Sequence, residues 1–142
     1  MTGFALDPRL GVDSHLLADG PLSQLRLMDD LRFPWLLLVP RIDGASELLE
    51  LAPASQQQLL AELNQAGRLL RAWATCDKLN IGALGNIVRQ LHLHLVARRE
   101  GDAAWPGPVW GAGAMQRATL EQRMHRLAAL RALLPTDFWR PA

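Results

Sequence analysis

The stretch Arg89-Gln90-Leu91-His92-Leu93-His94-Leu95-Val96-Ala97-Arg98 constrains the fold of this chain more than any other. Polar and apolar residues alternate with a period of two, which is the mark of a half-buried β-strand. Gln90, His92, His94 and Arg98 then share one face. Leu91, Leu93 and Leu95 take the other, where helices can cover them. Two of the chain's four histidines and a guanidinium on a single strand face make this the place where chemistry is expected. A cationic face carrying two imidazoles suits a phosphate or a metal.

A one-sided strand needs a covering helix, and residues 55–75 supply one. Ser55 followed by Gln58 matches a capping box, and Leu59, Leu63, Ala66, Leu70 and Trp73 recur at three- and four-residue steps. Upstream, alternation over residues 23–28 predicts a strand. Asp29-Asp30-Leu31-Arg32 then predicts a turn, and the apolar run 35–39 between Pro34 and Pro40 a second strand buried on both faces. The two should form a hairpin with Asp29 and Asp30 at its end. Residues 41–53 read as a loop with a helical turn around 46–51. Residues 78–83 read as a strand that pairs with 90–98 across a glycine-containing turn. The opening, 1–21, reads as irregular, with one helical turn capped at Asp13-Ser14.

Beyond the histidines, residues 99–113 hold Pro106, Pro108, Trp105 and Trp110, which predicts an ordered but irregular loop. Thr119 with Gln122 is another capping box, and Leu120, Met124, Leu127, Leu130 and Leu134 trace a helix ending near Pro135. Phe138 and Trp139 should fold back onto the body. Hairpins with a long helix between them define an α+β domain, a largely antiparallel sheet with helices on one side and the other face free for a ligand.

The chain has 142 residues, 49% of them hydrophobic, which suits a single domain over 1–142. A formal net charge of +1 argues against nucleic-acid binding by bulk charge. One cysteine, Cys76, precludes an intramolecular disulfide, and no basic-then-apolar start resembles a secretory signal, so a cytoplasmic location is expected. The apolar runs are far shorter than the roughly 20 residues needed to cross a bilayer, so a soluble protein with no membrane partner is expected.

Gln90-Leu91-His92-Leu93-His94-Leu95-Val96 resembles the His-φ-His-φ-His-φ-φ motif of the histidine-triad (HIT) nucleotide hydrolases and transferases, with Gln90 at the first histidine. The resemblance extends to Lys78-Leu79-Asn80-Ile81-Gly82, to Gly85-Asn86, to Leu27-Met28-Asp29 and to Leu36-Leu37-Leu38-Val39-Pro40-Arg41, spanning roughly 22–99. It implies an α+β fold and chemistry at the α-phosphate of nucleoside phosphoramidates or dinucleoside polyphosphates. His92 would be the nucleophile of a covalent nucleotidyl intermediate, and His94 would hydrogen-bond the phosphate oxygens. By the same resemblance Gln90 stands in the catalytic network and Asn80 and Asn86 near the phosphate. Asp29 is the candidate for a ribose hydroxyl, and Arg98 for a polyphosphate tail. The scheme requires no metal and no other cofactor, and its partners are a nucleotide or dinucleotide and a second copy in a homodimer.

Three positions depart from the family pattern. Gln90 can donate and accept but not titrate. Trp35 stands where many members carry a further histidine, and Ile87 where a Ser or Thr hydroxyl often meets phosphate. These departures support an alternative reading, a nucleotide-binding or sensor protein with little catalysis. A second alternative is a metal-dependent, cupin-like enzyme, from His92-Leu93-His94 followed by Glu100. Residue by residue, Arg98 also reads as a strand-end arginine, Asp29 and Asp30 as turn residues, and Trp105 and Trp110 as loop packing rather than a wall for a base.

Overall fold

A computed structural model describes residues 3–142; Met1 and Thr2, the start of the opening segment read above as irregular, lie outside the described residues. The elements run α1 (Pro8–Asp13), β1 (Ser14–Asp19), β2 (Ser23–Met28), β3 (Trp35–Pro40), a 3-10 turn (Leu48–Glu50), α2 (Pro53–Trp73), β4 (Lys78–Gly82), β5 (Leu93–Arg98), α3 (Leu120–Leu133) and β6 (Arg140–Pro141). All six strands join one antiparallel sheet in the order β4-β5-β3-β2-β1-β6. The expected α+β architecture is therefore present, and a single sheet with helices rules out the jelly roll of the cupin-like reading.

The continuous apolar run of β3 fits its place inside the sheet, where every residue is buried. Its even and odd positions serve two separate cores. Leu36 and Leu38, with Leu25, Leu27, Leu93 and Leu95, pack under Leu59, Ala66 and Leu70 of α2 and Leu127 and Leu130 of α3. Trp35, Leu37 and Val39, with Val96, pack on the opposite face against Leu10, Phe33 and Val109. The second face is thus not bare, as the sequence suggested. The N-terminal segment and the loop after β5 cover it except over a cleft beside the histidines.

Several boundaries differ from expectation for identifiable reasons. Asp7 caps α1 by accepting from the Arg9 amide, and Pro8 occupies the first helical turn, so Ser14 ends that helix and opens β1 instead of capping a new turn. β1 escaped notice because a register shift between Leu16 and Ala18 interrupts its alternation. Pro53 sets the start of α2, and no side-chain cap bond forms there, so the Ser55/Gln58 pair goes unused as a cap. By contrast, the Thr119/Gln122 capping box of α3 forms in both directions. Leu120 and Met124, on its first turns, remain exposed; Leu127, Leu130 and Leu134 carry its packing. Trp139 folds back and is buried, and β6 then adds to the edge of β1.

The histidine strand begins at Leu93 rather than Gln90. The Leu91 amide donates to the Ala45 carbonyl at 2.9 Å, outside the ladder, so residues 90–92 approach the sheet without joining it. Residues 83–92 are accordingly a ten-residue connection, not a tight turn. Among the described residues no helix is long and apolar enough to cross a membrane.

Candidate functional site

β5 is paired on both sides, with Leu37 of β3 opposite His94 and Gly82 of β4 opposite it on the other flank. This double pairing holds His94 rigidly, and His92 sits two residues before it at the strand entrance. The imidazole centroids lie 4.9 Å apart with planes inclined at 64°. Both rings line a cleft of about 450 Å³, within the usual range for small-ligand sites. Arg9, Asn86 and Ile87 line its wall beside the histidines, and Leu10, Met28, Val109, Trp110 and Met115 supply apolar surface.

The two rings are held differently. His92 Nδ1 lies 2.7 Å from the backbone carbonyl oxygen of Gln90. A carbonyl only accepts, so Nδ1 carries a proton, and in the neutral ring the lone pair is on Nε2. At His94 the Trp35 indole Nε1–H donates to Nδ1 at 3.0 Å. Burial, reinforced by the nearby His92, pushes the His94 imidazole down to about 3, so this ring is neutral throughout the physiological range. Trp35 is buried between Phe33 and Trp110, whose rings meet it edge-on. Trp110 also meets His94 edge-on at 5.5 Å. Position 35 therefore retains a polar hydrogen despite lacking a histidine.

Of the catalytic and binding candidates read from sequence, His92, His94 and Asn86 meet at the cleft, where Trp35, Ile87 and Trp110 join them, and Gln90, Asn80, Arg98 and Asp29 do not line it. Gln90 reaches its neighbour His92 only through its backbone; its side chain binds the N-terminal segment. Arg98 is buried, with two bonds to the Asp102 carboxylate at 2.7 and 2.8 Å and one to Asn80 Oδ1 at 2.9 Å. Its guanidinium is thereby committed within the protein, a correction to the polyphosphate role, and Asn80 is its acceptor. Asp29 accepts from the Ala118 amide at 3.0 Å and from Arg117 at 3.3 Å, fixing the lead-in to α3.

The cleft instead receives Asp30 and Arg32 from the β2–β3 turn. Burial alone would raise the Asp30 carboxyl, but hydrogen bonds from Arg32 and the Gln116 amide outweigh it and hold the group below its usual range. Arg32 also donates to the Ala112 carbonyl, which ties the turn to the loop that carries Trp110. Arg9 and Leu10 were missed because α1 was missed; the Asp7-Pro8 pair was the available signal. Trp110 and Met115 reach the cleft from a distant irregular segment whose path no local pattern reveals. Among the described residues no group of three or more His, Cys, Asp or Glu side chains is arranged to hold a metal ion.

An antiparallel sheet with α2 and α3 on one face and two differently held imidazoles in a cleft on the other defines an α+β protein of the HIT-like class. The HIT domain model matches residues 9–101, and the chain belongs to the HIT family. A crystal structure of a histidine triad (HIT) protein from Sinorhizobium meliloti 1021 is 45% identical, with a TM-score of 0.89 over 93% of this chain and 98% of that one. A histidine triad protein from Marinobacter aquaeolei VT8 is 43% identical, with a TM-score of 0.89 over 94% and 97%. A hypothetical histidine triad nucleotide-binding protein from Sulfolobus tokodaii strain7, 14% identical over 88% and 86%, shares the fold with a TM-score of 0.65. Among curated proteins, none matches the sequence.

Proposed function

We propose that this protein is a nucleotide phosphohydrolase or nucleotidyl transferase acting at the α-phosphate of nucleoside phosphoramidates or dinucleoside polyphosphates, with His92 Nε2 as nucleophile. The observation that carries the reading is the bond between His92 Nδ1 and the Gln90 carbonyl, which leaves the Nε2 lone pair unengaged at the cleft. Attack would form a P–Nε2 bond as the bond to the leaving group breaks. The leaving group departs with that electron pair, as an anion if it is a phosphate or with a solvent proton if it is an amine. Water then attacks phosphorus and yields a proton to solvent, and the P–Nε2 electron pair returns to the ring. In a transferase another hydroxyl takes the place of water. A neutral His94, its Nδ1 accepting from Trp35, donates its Nε2–H to a non-bridging oxygen.

His92→Ala is expected to abolish turnover of a fluorogenic adenosine phosphoramidate while nucleotide binding persists. Undiminished hydrolysis by that variant would overturn the mechanism. The second reading, a nucleotide-binding protein with little catalysis, draws support from the Gln90 side chain standing away from His92. Rapid turnover by the unmutated protein would eliminate it. We also propose that the chain is one domain, works in the cytoplasm and pairs as a homodimer; a stable monomer in solution scattering would remove the last of these.

A further inference from the structure

We infer that Trp35 is a positioning residue that holds His94 in the one tautomer whose Nε2–H is presented to the cleft. The indole Nε1–H has no acceptor capacity, and it points at His94 Nδ1 from 3.0 Å. Nδ1 must therefore offer its lone pair, and the proton of the neutral ring resides on Nε2. Burial holds Trp35 in this contact: the residue is only 5% exposed, and its ring packs edge-on with Phe33 at 6.4 Å and with Trp110 at 6.5 Å.

The consequence is a complementary pair. At His92 a carbonyl oxygen fixes the proton on Nδ1 and frees the Nε2 lone pair; at His94 an indole N–H does the reverse. Two rings 4.9 Å apart thus present one electron pair and one neutral donor to the same space. A histidine at position 35 could either donate or accept, so it would fix His94 only in one of its own tautomers. The indole has no such second state. The departure at position 35 is on this argument a gain in definition. Its catalytic consequence rests on the reaction proposed above, but the tautomer itself does not.

The test has two arms. In the unmutated protein with isotope-labelled histidine nitrogens, long-range proton–nitrogen correlation near neutral pH should show His94 protonated at Nε2 and bare at Nδ1. Trp35→Phe, and a sulfur-for-N–H tryptophan isostere placed at position 35 alone should the Phe variant fold poorly, should both lose that signature. For adenosine phosphoramidate, kcat should fall roughly 10- to 100-fold, by analogy with other groups that orient a catalytic imidazole, while KM stays within about threefold. A proton on His94 Nδ1 in the unmutated protein, or a kcat unchanged in a folded variant that lacks the N–H, overturns the inference. If the unmutated protein turns over no substrate, the hydrolase reading fails and the tautomer measurement alone decides the role of Trp35.

Discussion

Gln90 and Asp7 are joined across 83 positions of sequence: the Asp7 amide donates to Gln90 Oε1 at 2.8 Å, and Gln90 Nε2 donates to the Ala5 carbonyl at 2.8 Å. The residue at the first triad position is thus a two-point clip for the segment that delivers Arg9 and Leu10 to the cleft. Support for His92 comes from the Gln90 backbone, which any residue at this position would supply.

Gln90→Ala should therefore act through the N-terminal segment. Losing two partly exposed hydrogen bonds should cost about 1–2 kcal/mol in urea unfolding and speed amide exchange at Asp7. Removing residues 1–7 also strips Phe4 and Leu6 from the second core and the Asp7 cap from α1, so it should cost more, and the two changes together should fall short of their sum. Lost turnover with unchanged exchange at Asp7 would instead put the Gln90 side chain in the chemistry.

Gly82 and Trp110 make a second testable contact. A Cβ added at Gly82 would lie 3.1 Å from the Trp110 ring, so the glycine lets the indole lie on β4 beside His94. Gly82→Val should push the ring off its seat at a cost of about 1–3 kcal/mol, visible as a changed tryptophan emission spectrum. On the proposed function, KM for an adenosine phosphoramidate should rise more than kcat falls. Unchanged emission and KM would show that the Trp110 wall does not depend on this glycine.

Arg98 and Asp102 form a buried ion pair four residues apart, with side chains only 1% and 4% exposed. Asp102→Ala would strand the guanidinium and should lower stability by about 3–5 kcal/mol. The Arg98 hydrogen bonds hold the Asp102 carboxyl down to about 2 from an ordinary 3.8. Its ionised form is favoured by folding, so this contribution is complete above pH 3.8 and is lost as pH falls from there towards 2. Stability measured across that window should fall more gently in Asp102→Asn than in the unmutated protein.

These relationships mark what local sequence can and cannot convey. β3, α2 and β5 were legible from their periodic or continuous apolar patterns, although β5, read as half-buried, is buried on both faces, with His94 and Arg98 covered as well as its leucines. β1 was not, because its register shift breaks the period, and β6, with two residues, has no period to read. His92 and His94 could be grouped because they stand two residues apart, and Asn86 because the family resemblance runs through it. Arg98 could not be read correctly alone, since the loop that returns Asp102 to it follows no pattern. The same limit hid Arg9 and Leu10, and it made Trp110 read as loop packing where the structure sets it against His94 as a wall of the cleft.

The last prediction concerns acid stability and His94. Its folded-state value of about 3 lies below the ordinary 6.5, with burial as the main cause. The sign follows directly: below pH 6.5 the unfolded chain takes up a proton that the folded ring refuses, so acid favours unfolding. The contribution is complete above 6.5, declines as pH falls towards 3, and levels off beneath it. At about 1.4 kcal/mol per unit for one proton, lowering pH from roughly 7 to 5 should remove about 2 kcal/mol. His15, whose value burial also lowers, adds a slope of its own in the same range, so the comparison must be with a variant that keeps it. His94→Gln retains a polar side chain without the titration, and its stability should vary less over this interval by about 2 kcal/mol. Equal slopes in urea unfolding for the two proteins would mean that His94 takes up its proton in the folded state as readily as in the unfolded one.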